Sequence, residues 1–574
     1  MTKQGGPSYF SSWLSAHATQ IITGLIVVVS FILVVPPLLI IVRGAVVDVD
    51  AQGWSLNLHR LSFIISQKNF IPSIIHTLAF ACGSSVIALL LGGFSAFLVA
   101  RTNAPFKILT HITSLMSLGT PYVLYVSAWL SVLNKSGPIN SLWRAWTGSS
   151  QLLFDVYSLS GMILIEGLLW SPLAFLLLSA SFRYANPDFE EAALISGASQ
   201  RHVLMRITAP LAAPAILALI LLIFIRCLEA FEVPSLVGLP GKVHVLTTDV
   251  FEYINRTMPP DIDSGNAVAL ILLALVIILL MIYRVLTRHR GSYATLSGKN
   301  FRPRMIDLGR GRSLAGGWLC LNFLCVVIIP FAMLIWLSLS PFYAPVSWAG
   351  LQRLTLVHFD HILHSERYLA LIGNTFLLST ISASVVMIFA ALSSFLIVRN
   401  HKGAVLIDLL ASLPLGFPGI VLAVGVMQVF LALPIGIYGS IWIIIWAFCI
   451  AYLPYGLRYC VAGMMHIHSE IEEAAIMSGA HMFDVLRRIT LPLLVPSLIA
   501  GWTFIFLVST RALSVPIILS GAGSQTIALA MFDLWGNGQS PELAALGLMW
   551  GAATGILAYF LHRITEKTGL GLRA

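Results

Sequence analysis

Long apolar stretches constrain this chain more than any other feature. Each is roughly 20 residues or longer with few charges, which is what a helix needs to cross the hydrocarbon core of a bilayer. Backbone amides and carbonyls must find partners inside a bilayer, so such segments form helices rather than an open sheet. The sequence predicts an all-α membrane protein with about twelve spans, at about 20–42, 74–100, 107–132, 159–182, 207–230, 266–287, 314–338, 371–398, 404–433, 438–463, 489–513 and 541–562.

The composition excludes a soluble globular domain. Hydrophobic residues make up 58% of the chain and charged residues only 10%, with a mean hydropathy of +0.90, whereas soluble domains carry about 25% charged residues. The first apolar stretch is too long for a signal-peptide core and no small-residue cleavage site follows it, so we expect it to remain as a span. The six cysteines lie in or beside apolar stretches without metal-type spacing, which is typical of core thiols.

A basic segment between the sixth and seventh apolar stretches predicts the orientation. Residues 284–312 contain eight Lys or Arg residues and one acid, Asp307. The positive-inside rule places this segment in the cytoplasm, and six spans on either side then place both termini there. A polybasic arm for nucleic acid is the rival interpretation, but its position between two spans argues against a nucleic-acid partner.

Two polar islands repeat within the chain, at 188–214 and 470–496, 282 residues apart. The apolar stretch 76–102 likewise parallels 374–400. We expect two parallel six-helix repeats, and pseudo-symmetric halves place a translocation path at their interface in many transporters. The predicted organisation is a first half (1–290), a basic cytoplasmic linker (291–312) and a second half (313–574).

Each island has the signals of a short helix followed by a turn. Ser469 and Glu472 have the spacing of a capping box, and acids in a first turn suit the helix dipole. Gly197 and Gly479 stand where a helix C-cap is expected. The alternative is an amphipathic connector that only rests on lipid headgroups, which does not explain why both copies keep the same residues at the same intervals.

Both islands resemble the EAA loop of binding-protein-dependent (type I) ABC importer permeases. That pattern is Glu-Ala-Ala, three residues, Gly, nine residues, Ile, one residue, Leu-Pro. Residues 469–492 fit it completely, and residues 187–210 depart only at Ala209, in place of Leu. The resemblance implies that these coupling loops dock, through 187–202 and 469–484, on two copies of a cytoplasmic ABC ATPase. The implied coupling residues are Glu190, Glu191, Ala192, Ala193, Gly197, Glu472, Glu473, Ala474, Ala475 and Gly479.

The chain has no G-x-x-x-x-G-K-[ST] motif, so we expect ATP to bind on the partner subunits and this chain to be a non-catalytic permease without a bound cofactor. Its histidines show no H-E-x-x-H or comparable ligand spacing, and no metal site is assigned. The resemblance further implies a bacterial inner-membrane location and a periplasmic substrate-binding protein as a partner.

The fused two-half layout resembles the ferric-iron importer permeases over nearly the whole chain. Softer similarities lie at 229–234, 246–248, 258–260, 534–538 and 544–547. Ferric iron is the expected substrate, with thiamine, phosphonate, polyamine and sulfate as alternatives. A secondary transporter with two six-helix repeats and a membrane-embedded enzyme are the rivals from other classes. The first has no use for a docking pattern, and the second needs a nucleophile–base pair or a metal set.

Charges near the fifth stretch are candidates for the translocation path. Arg226, Glu229 and Glu232 are spaced i, i+3 and i+6, which predicts one side of a helix, and Arg511 is the second-half counterpart of Glu229. Ionisable residues in a span usually face a cavity or a partner. Two interpretations stay open: the acids line an outward mouth that favours a cation, or Glu229 forms an interhelical salt bridge, for instance with Arg511.

Overall fold

The structure, a computed structural model, describes residues 9–50, 53–56, 58–183, 192–193, 195–288, 305–480 and 482–567. Helices dominate this part of the chain. It divides into two compact units that each combine segments from both sequence halves. Unit I contains Gly44–Leu369 and Ala528–Ala552, and unit II contains Met1–Arg43, Ala370–Ile527 and Ala553–Ala574.

The first half begins with a long helix and a short hairpin, followed by helices. Its elements are α1 (Tyr9–Val46), β1 (Val47–Asp50), β2 (Gly53–Leu56), α2 (His59–Ser66), α3 (Phe70–Arg101), α4 (Lys107–Gly119), α5 (Tyr122–Leu133), α6 (Pro138–Thr147), α7 (Leu159–Arg183), α8 (Gln200–Val203), a π-helix (Leu204–Thr208), α9 (Ala209–Leu228), a π-helix (Pro234–Gly238), α10 (Leu246–Asn255) and α11 (Ile262–Arg288). The antiparallel hairpin pairs Val47 with Leu56 and Asp50 with Gly53. The sequence predicted only helices and did not predict this hairpin.

The second half repeats much of this order. Its elements are a 3₁₀ turn (Gly309–Gly311), α12 (Arg312–Phe323), a π-helix (Leu324–Ile328), α13 (Ile329–Leu339), α14 (Trp348–Leu351), α15 (Val357–His364), α16 (Glu366–Val398), α17 (Ala404–Ser412), a 3₁₀ turn (Leu413–Gly416), α18 (Gly419–Ala432), α19 (Ile441–Met465), α20 (Ser469–Met477), α21 (Met482–Val485), a π-helix (Leu486–Thr490), α22 (Leu491–Arg511), α23 (Pro516–Leu519), α24 (Ile527–Gly536) and α25 (Ser540–Lys567).

The prediction of an all-α membrane protein is confirmed. Within the described residues, nine helices are long and apolar enough to cross a membrane, and a bent pair, α17 with α18, makes a tenth. The third expected span, 107–132, is instead two helices with a break at Thr120–Pro121. The ninth bends by 111° between Gly416 and Gly419. Proline explains both breaks, because its ring removes a helical hydrogen bond and restricts the residue before it.

Equivalent contacts recur in the two halves, as the parallel repeats predict. In unit I the backbone amide of Leu246 donates to Thr77 Oγ1 over 2.9 Å. In unit II the amide of Ile527 donates to Thr375 Oγ1, also over 2.9 Å. Each threonine lies in the second predicted span of its half, Thr77 in α3 and Thr375 in α16. Each amide belongs to the first residue of the short helix before the last span, α10 or α24. The repeat therefore extends from the sequence to individual side-chain contacts.

The first span of each half packs within the unit formed mainly by the other half. In unit II, a Cβ atom on Gly425 of α18 would lie 2.6 Å from the carbonyl oxygen of Pro37 in α1, which shows how closely the two helices approach. In unit I, Trp318 Nε1 of α12 donates to Ser95 Oγ of α3 over 3.1 Å. Leu319 of α12 is fully buried in a hydrophobic cluster that also contains Leu98 and Val99 of α3. The halves are thus tied together by exchanged helices.

Replacing Gly425 by Ala tests the packing of α1 in unit II. Alanine normally stabilises a helix relative to glycine by about 1 kcal/mol, but here the added methyl collides with backbone, and overpacking typically costs 1–3 kcal/mol. We expect a lower thermal unfolding midpoint for Gly425→Ala in detergent. The matched control is Gly373→Ala in α16, where nothing lies within 4 Å of the new Cβ; it should leave the midpoint unchanged or raise it. Equal midpoints for the two variants would contradict the packing.

Candidate coupling and translocation sites

The helix of the second coupling loop does not begin as the sequence predicted. It runs from Ser469 to Met477 with His468 as the N-cap, and no side chain caps its amides. The capping box predicted from Ser469 and Glu472 is therefore wrong. Glu472 instead turns inward and is only 6% exposed, because an arginine at the end of a neighbouring span offers it a stronger, charged partner.

That partner is Arg399, the residue after α16. Its Nε donates to Glu472 Oε2 over 2.8 Å and its Nη2 donates to Oε1 over 3.1 Å, which makes a bidentate pair. Arg399 Nη2 also donates to the carbonyl oxygen of Ile467 over 2.9 Å, and Thr490 Oγ1 donates to Glu472 Oε1 over 3.1 Å. Glu472 therefore connects α20 to the end of α16 and to the start of α22.

The opposite side of α20 is open. Glu473 and Ala474 are exposed, and Met477 is 88% exposed. The helix ends at Gly479, whose φ of +90° is the left-handed conformation that favours glycine. The amide of Ala480 donates to the carbonyl of Ala475 over 3.1 Å, which closes a Schellman turn. The predicted coupling residues therefore divide into a buried anchor, Glu472, and an exposed face.

The first coupling loop shows the same turn. Of its predicted residues, Glu190 and Glu191 lie outside the described residues, whereas Ala192, Ala193 and Gly197 lie within them. Gly197 has φ of +85°, and the amide of Ala198 donates to the carbonyl of Ala193 over 3.0 Å. The two copies share this turn because both place glycine where a left-handed residue is needed.

An exposed apolar side chain stands at the same position in each coupling loop. Ile195 is 87% exposed and Met477 is 88% exposed, and they are 282 residues apart, as are the two islands. A single exposed apolar side chain carries no functional meaning by itself. What distinguishes these two is that they recur at equivalent positions of the repeat. Neither residue was predicted as a site residue from the sequence. Aligning the two islands and looking for apolar residues at equivalent positions would have identified both.

Both coupling loops continue into the next span through a π-helical turn. These turns are Leu204–Thr208 and Leu486–Thr490, again 282 residues apart. The π-turn is rare and recurs at functional sites, where it re-aims side chains. Beside the second turn lies a cavity of about 350 Å³, lined by Ser478, Gly479, Ala480, Asp484, Val485, Arg488 and Ile489. The coupling loops therefore present both an exposed side chain and a concave surface.

The candidate translocation residues are only partly brought together. Arg226 Nη1 donates to Glu229 Oε2 over 3.0 Å within unit I. Because α9 ends at Leu228, only Arg226 of the three lies on this helix, and the expectation of three charges along one helical side is wrong. The second oxygen of Glu229, Oε1, is buried and makes no hydrogen bond to the part of the chain that the structure describes. Arg511 ends α22 in unit II and is 8% exposed.

A further buried acid lies close to these residues. Glu166 of α7 is 1% exposed and accepts a hydrogen bond from Trp170 Nε1 over 2.7 Å. Glu232 is near enough for its charge to act on Glu166. Acids inside a membrane domain are expensive and usually serve a path or a partner. Unit I therefore groups three acidic side chains, Glu166, Glu229 and Glu232, one of which is paired with Arg226.

A cluster that the sequence did not predict lies between α9 and α11. His244, Asp249 and Glu252 bring one nitrogen and two carboxylate oxygens within 4.8 Å of one another. Their spacing along the chain matches no standard metal motif, so only the folded structure brings them together as a candidate ligand set.

Comparison with known proteins shows what the chain is similar to. Residues 88–291 match the family described as binding-protein-dependent transport system inner membrane component. The chain is 24% identical over 510 residues to a putative ferric transport system permease protein, FbpB 1, of Haemophilus influenzae, covering 87% of this chain and 78% of that protein. It is 25% identical to the ferric transport system permease protein FbpB of Actinobacillus pleuropneumoniae, covering 88% and 70%. A putative 2-aminoethylphosphonate permease protein, PhnV, of Salmonella paratyphi A is 26% identical but covers 45% of this chain and 97% of its own length.

Replacing Glu472 by Ala tests its role as an anchor. Removing one partner of a buried ion pair strands the other charge and costs about 3 kcal/mol or more. We expect Glu472→Ala to lower the thermal unfolding midpoint in detergent, and Arg399→Ala to lower it similarly. Glu473→Ala, next along the same helix but exposed, is the matched control and should leave the midpoint unchanged. A midpoint equally insensitive to both glutamates would refute the anchor.

Proposed function

We propose that the chain is a fused two-half permease of the binding-protein-dependent ABC importers and that its substrate is ferric iron. The observation that carries the proposal is the extent of similarity. Ferric transport permeases match 87% and 88% of this chain, and therefore both halves, whereas the phosphonate permease matches 45%. A cation substrate also agrees with the acids Glu166, Glu229 and Glu232 of unit I, of which Glu166 is fully buried.

The family assigns the partners in general terms: an ABC ATPase and a periplasmic binding protein. We further propose two ATPase copies, one on each coupling loop. The support is that both loops end in the same Schellman turn, at Gly197 and Gly479, and expose an apolar side chain at the same place, Ile195 and Met477. Two equivalent surfaces suit two identical subunits. ATP would bind on those subunits, and this chain would be non-catalytic.

The orientation follows from the same surfaces. ATPase subunits work in the cytoplasm, so the coupling loops 187–210 and 469–492 belong on that side of the inner membrane. The basic segment 284–312 independently predicts the same side for the linker. With the six spans that the sequence predicts in each half, both termini would be cytoplasmic as well.

Transport would proceed by alternating access driven by the ATPase. ATP-driven closure of the ATPase subunits brings the coupling loops together, and the Arg399–Glu472 pair passes this displacement from α20 to α16 and α22. Each ligand shifts the equilibrium between the two states only by its difference in affinity for them. The binding protein would favour the outward-open state, and hydrolysis would reset it.

Uptake of radiolabelled ferric iron by cells tests the proposed function. Cells with the native chain should accumulate iron, and a Glu191→Ala/Glu473→Ala double variant should lose nearly all uptake because both docking faces are altered. Glu366→Ala, an exposed acid at the end of α16 remote from Arg399, is the control and should transport normally. Iron uptake that does not depend on the chain would refute the substrate.

The same assay with 2-aminoethylphosphonate tests the second candidate. The similarity of half of this chain to phosphonate permeases is the observation that favours it. Phosphonate uptake that requires the native chain, together with iron uptake that does not, would replace the ferric assignment while keeping the importer.

Replacing Glu229 by Gln separates a path residue from a structural one. If Glu229 stabilises a passing cation, losing its charge should raise the KM for iron about tenfold, the equivalent of roughly 1.4 kcal/mol. The amount of folded protein should stay unchanged. Uptake kinetics and protein level are measured together, with Arg226→Gln for comparison. A purely structural pair predicts that both variants lower the protein level alike and leave the KM for iron as it was.

A further inference from the structure

Three side chains of unit I converge at the start of α10. Asp249 and Glu252 lie three residues apart on this helix and so share a face, and His244 precedes the helix by two residues. The Nδ1 atom of His244 lies 3.0 Å from Glu252 Oε2 and 3.5 Å from Asp249 Oδ1. All three are partly buried, with side-chain exposures of 33%, 14% and 28% for His244, Asp249 and Glu252.

The cluster opens onto a cavity with further oxygen donors. The cavity has a volume of about 230 Å³ and is lined by Gln67, Asn69, Phe70, His244, Asp249, Glu252, Tyr253 and Thr257. Its amide and hydroxyl groups, and the water it has room for, can complete a coordination shell around an ion held by the three charged groups.

Surrounding contacts hold the histidine segment in place. A ring nitrogen of His76 lies 3.2 Å from the carbonyl oxygen of His244. Thr77 Oγ1 accepts the amide of Leu246, and Thr248 Oγ1 accepts the amide of Val245 over 3.0 Å. Such outer contacts are what orients the ligands of metal sites.

The fold itself does not require the cluster. The second half keeps the scaffold contact, Thr375 to Ile527, yet at the positions equivalent to His244, Asp249 and Glu252 it has Gln525, Ala530 and Asp533. The complete set of one imidazole and two carboxylates therefore belongs to the first half alone.

The electrostatics of the cluster favour a positive charge. The pKa of His244 is raised above its usual value, first by the hydrogen bond with Asp249 and then by the charges of Glu252 and Asp249, against the opposing effect of burial. The carboxylates of Asp249 and Glu252 lie 3.5 and 3.0 Å from the imidazole and can face a bound cation together with it.

We propose that His244, Asp249 and Glu252 bind a first-row transition cation, and that they hold the ferric cargo beside α10, in the segment that joins α9 to α11. Imidazole combined with carboxylate suits iron and its neighbours, whereas calcium and magnesium take oxygen ligands. The chain leads from the first coupling loop through α9 to this site and returns through α11 to the basic linker, so the site lies at the end of those helices remote from the coupling loop. The identity of the cation as cargo rests on the proposed function.

The metal site is tested by titrating the full chain, purified without a histidine tag, with Co²⁺ and recording visible absorption. We expect saturable binding of about one equivalent. A His244→Ala/Asp249→Asn/Glu252→Gln variant should lose at least about 100-fold in affinity, since even outer-shell partners contribute 10- to 100-fold. The matched control is Asp360→Asn/His364→Ala, which removes an exposed His–Asp pair 3.2 Å apart elsewhere in unit I.

Ferric-iron uptake by the same variants tests the cargo role. Lost Co²⁺ binding together with reduced uptake, with the control variant behaving as the native chain, supports the proposal. Native-like Co²⁺ binding by the triple variant overturns the site and leaves the cluster an ion pair only, and lost binding with unchanged uptake overturns the cargo role. If the native chain itself takes up no iron, the proposed function fails, and the titration alone decides the metal site. The single variant Glu252→Gln removes one charge only and is less prone to misfold than the triple variant. It should also bind Co²⁺ more weakly than the native chain.

Discussion

Satisfaction of backbone hydrogen bonds inside a bilayer is the constraint on which the rest of this structure depends. It forces each apolar stretch into a helix, and it allows interruptions only where protein surrounds them. The interruptions here are systematic: proline breaks one span in each half, at Pro121 and Pro418, and a π-turn precedes α9 and α22 at equivalent positions. Because these irregularities recur at equivalent positions of both halves, they are features of the repeat itself.

The two coupling loops show how one short motif serves two purposes. In the second loop, Glu472 faces inward to Arg399 and Thr490, while the adjacent Glu473 and the apolar Met477 face outward. Helical geometry alone separates these neighbours, because successive residues point about 100° apart. The buried acid gives the loop a firm attachment to two spans. The exposed face of the same helix is left open for contact.

The exchange of first spans adds a second level of coupling. Residues of α1 pack in unit II with helices of the second half, and α12 packs in unit I against α3 of the first half. A motion imposed on either unit therefore involves chain segments from both halves. The His244 cluster shows the opposite tendency, since duplicated scaffolds diverge locally: the threonine contact is kept in both halves, but the ligand set is found in one.

Sequence by itself determined the membrane class, the helical fold, the two repeats and the coupling loops, because hydropathy and a repeated polar motif are properties of contiguous residues. The left-handed turns at Gly197 and Gly479 belong with these, since the need for glycine is local. Tertiary structure alone decided that Glu472 pairs with Arg399 instead of capping its helix. It also decided which half receives each first span, and it brought His244 to Asp249 and Glu252. These outcomes depend on which charged or apolar partner lies nearest in space, and the spacing of residues along a chain carries no record of that distance.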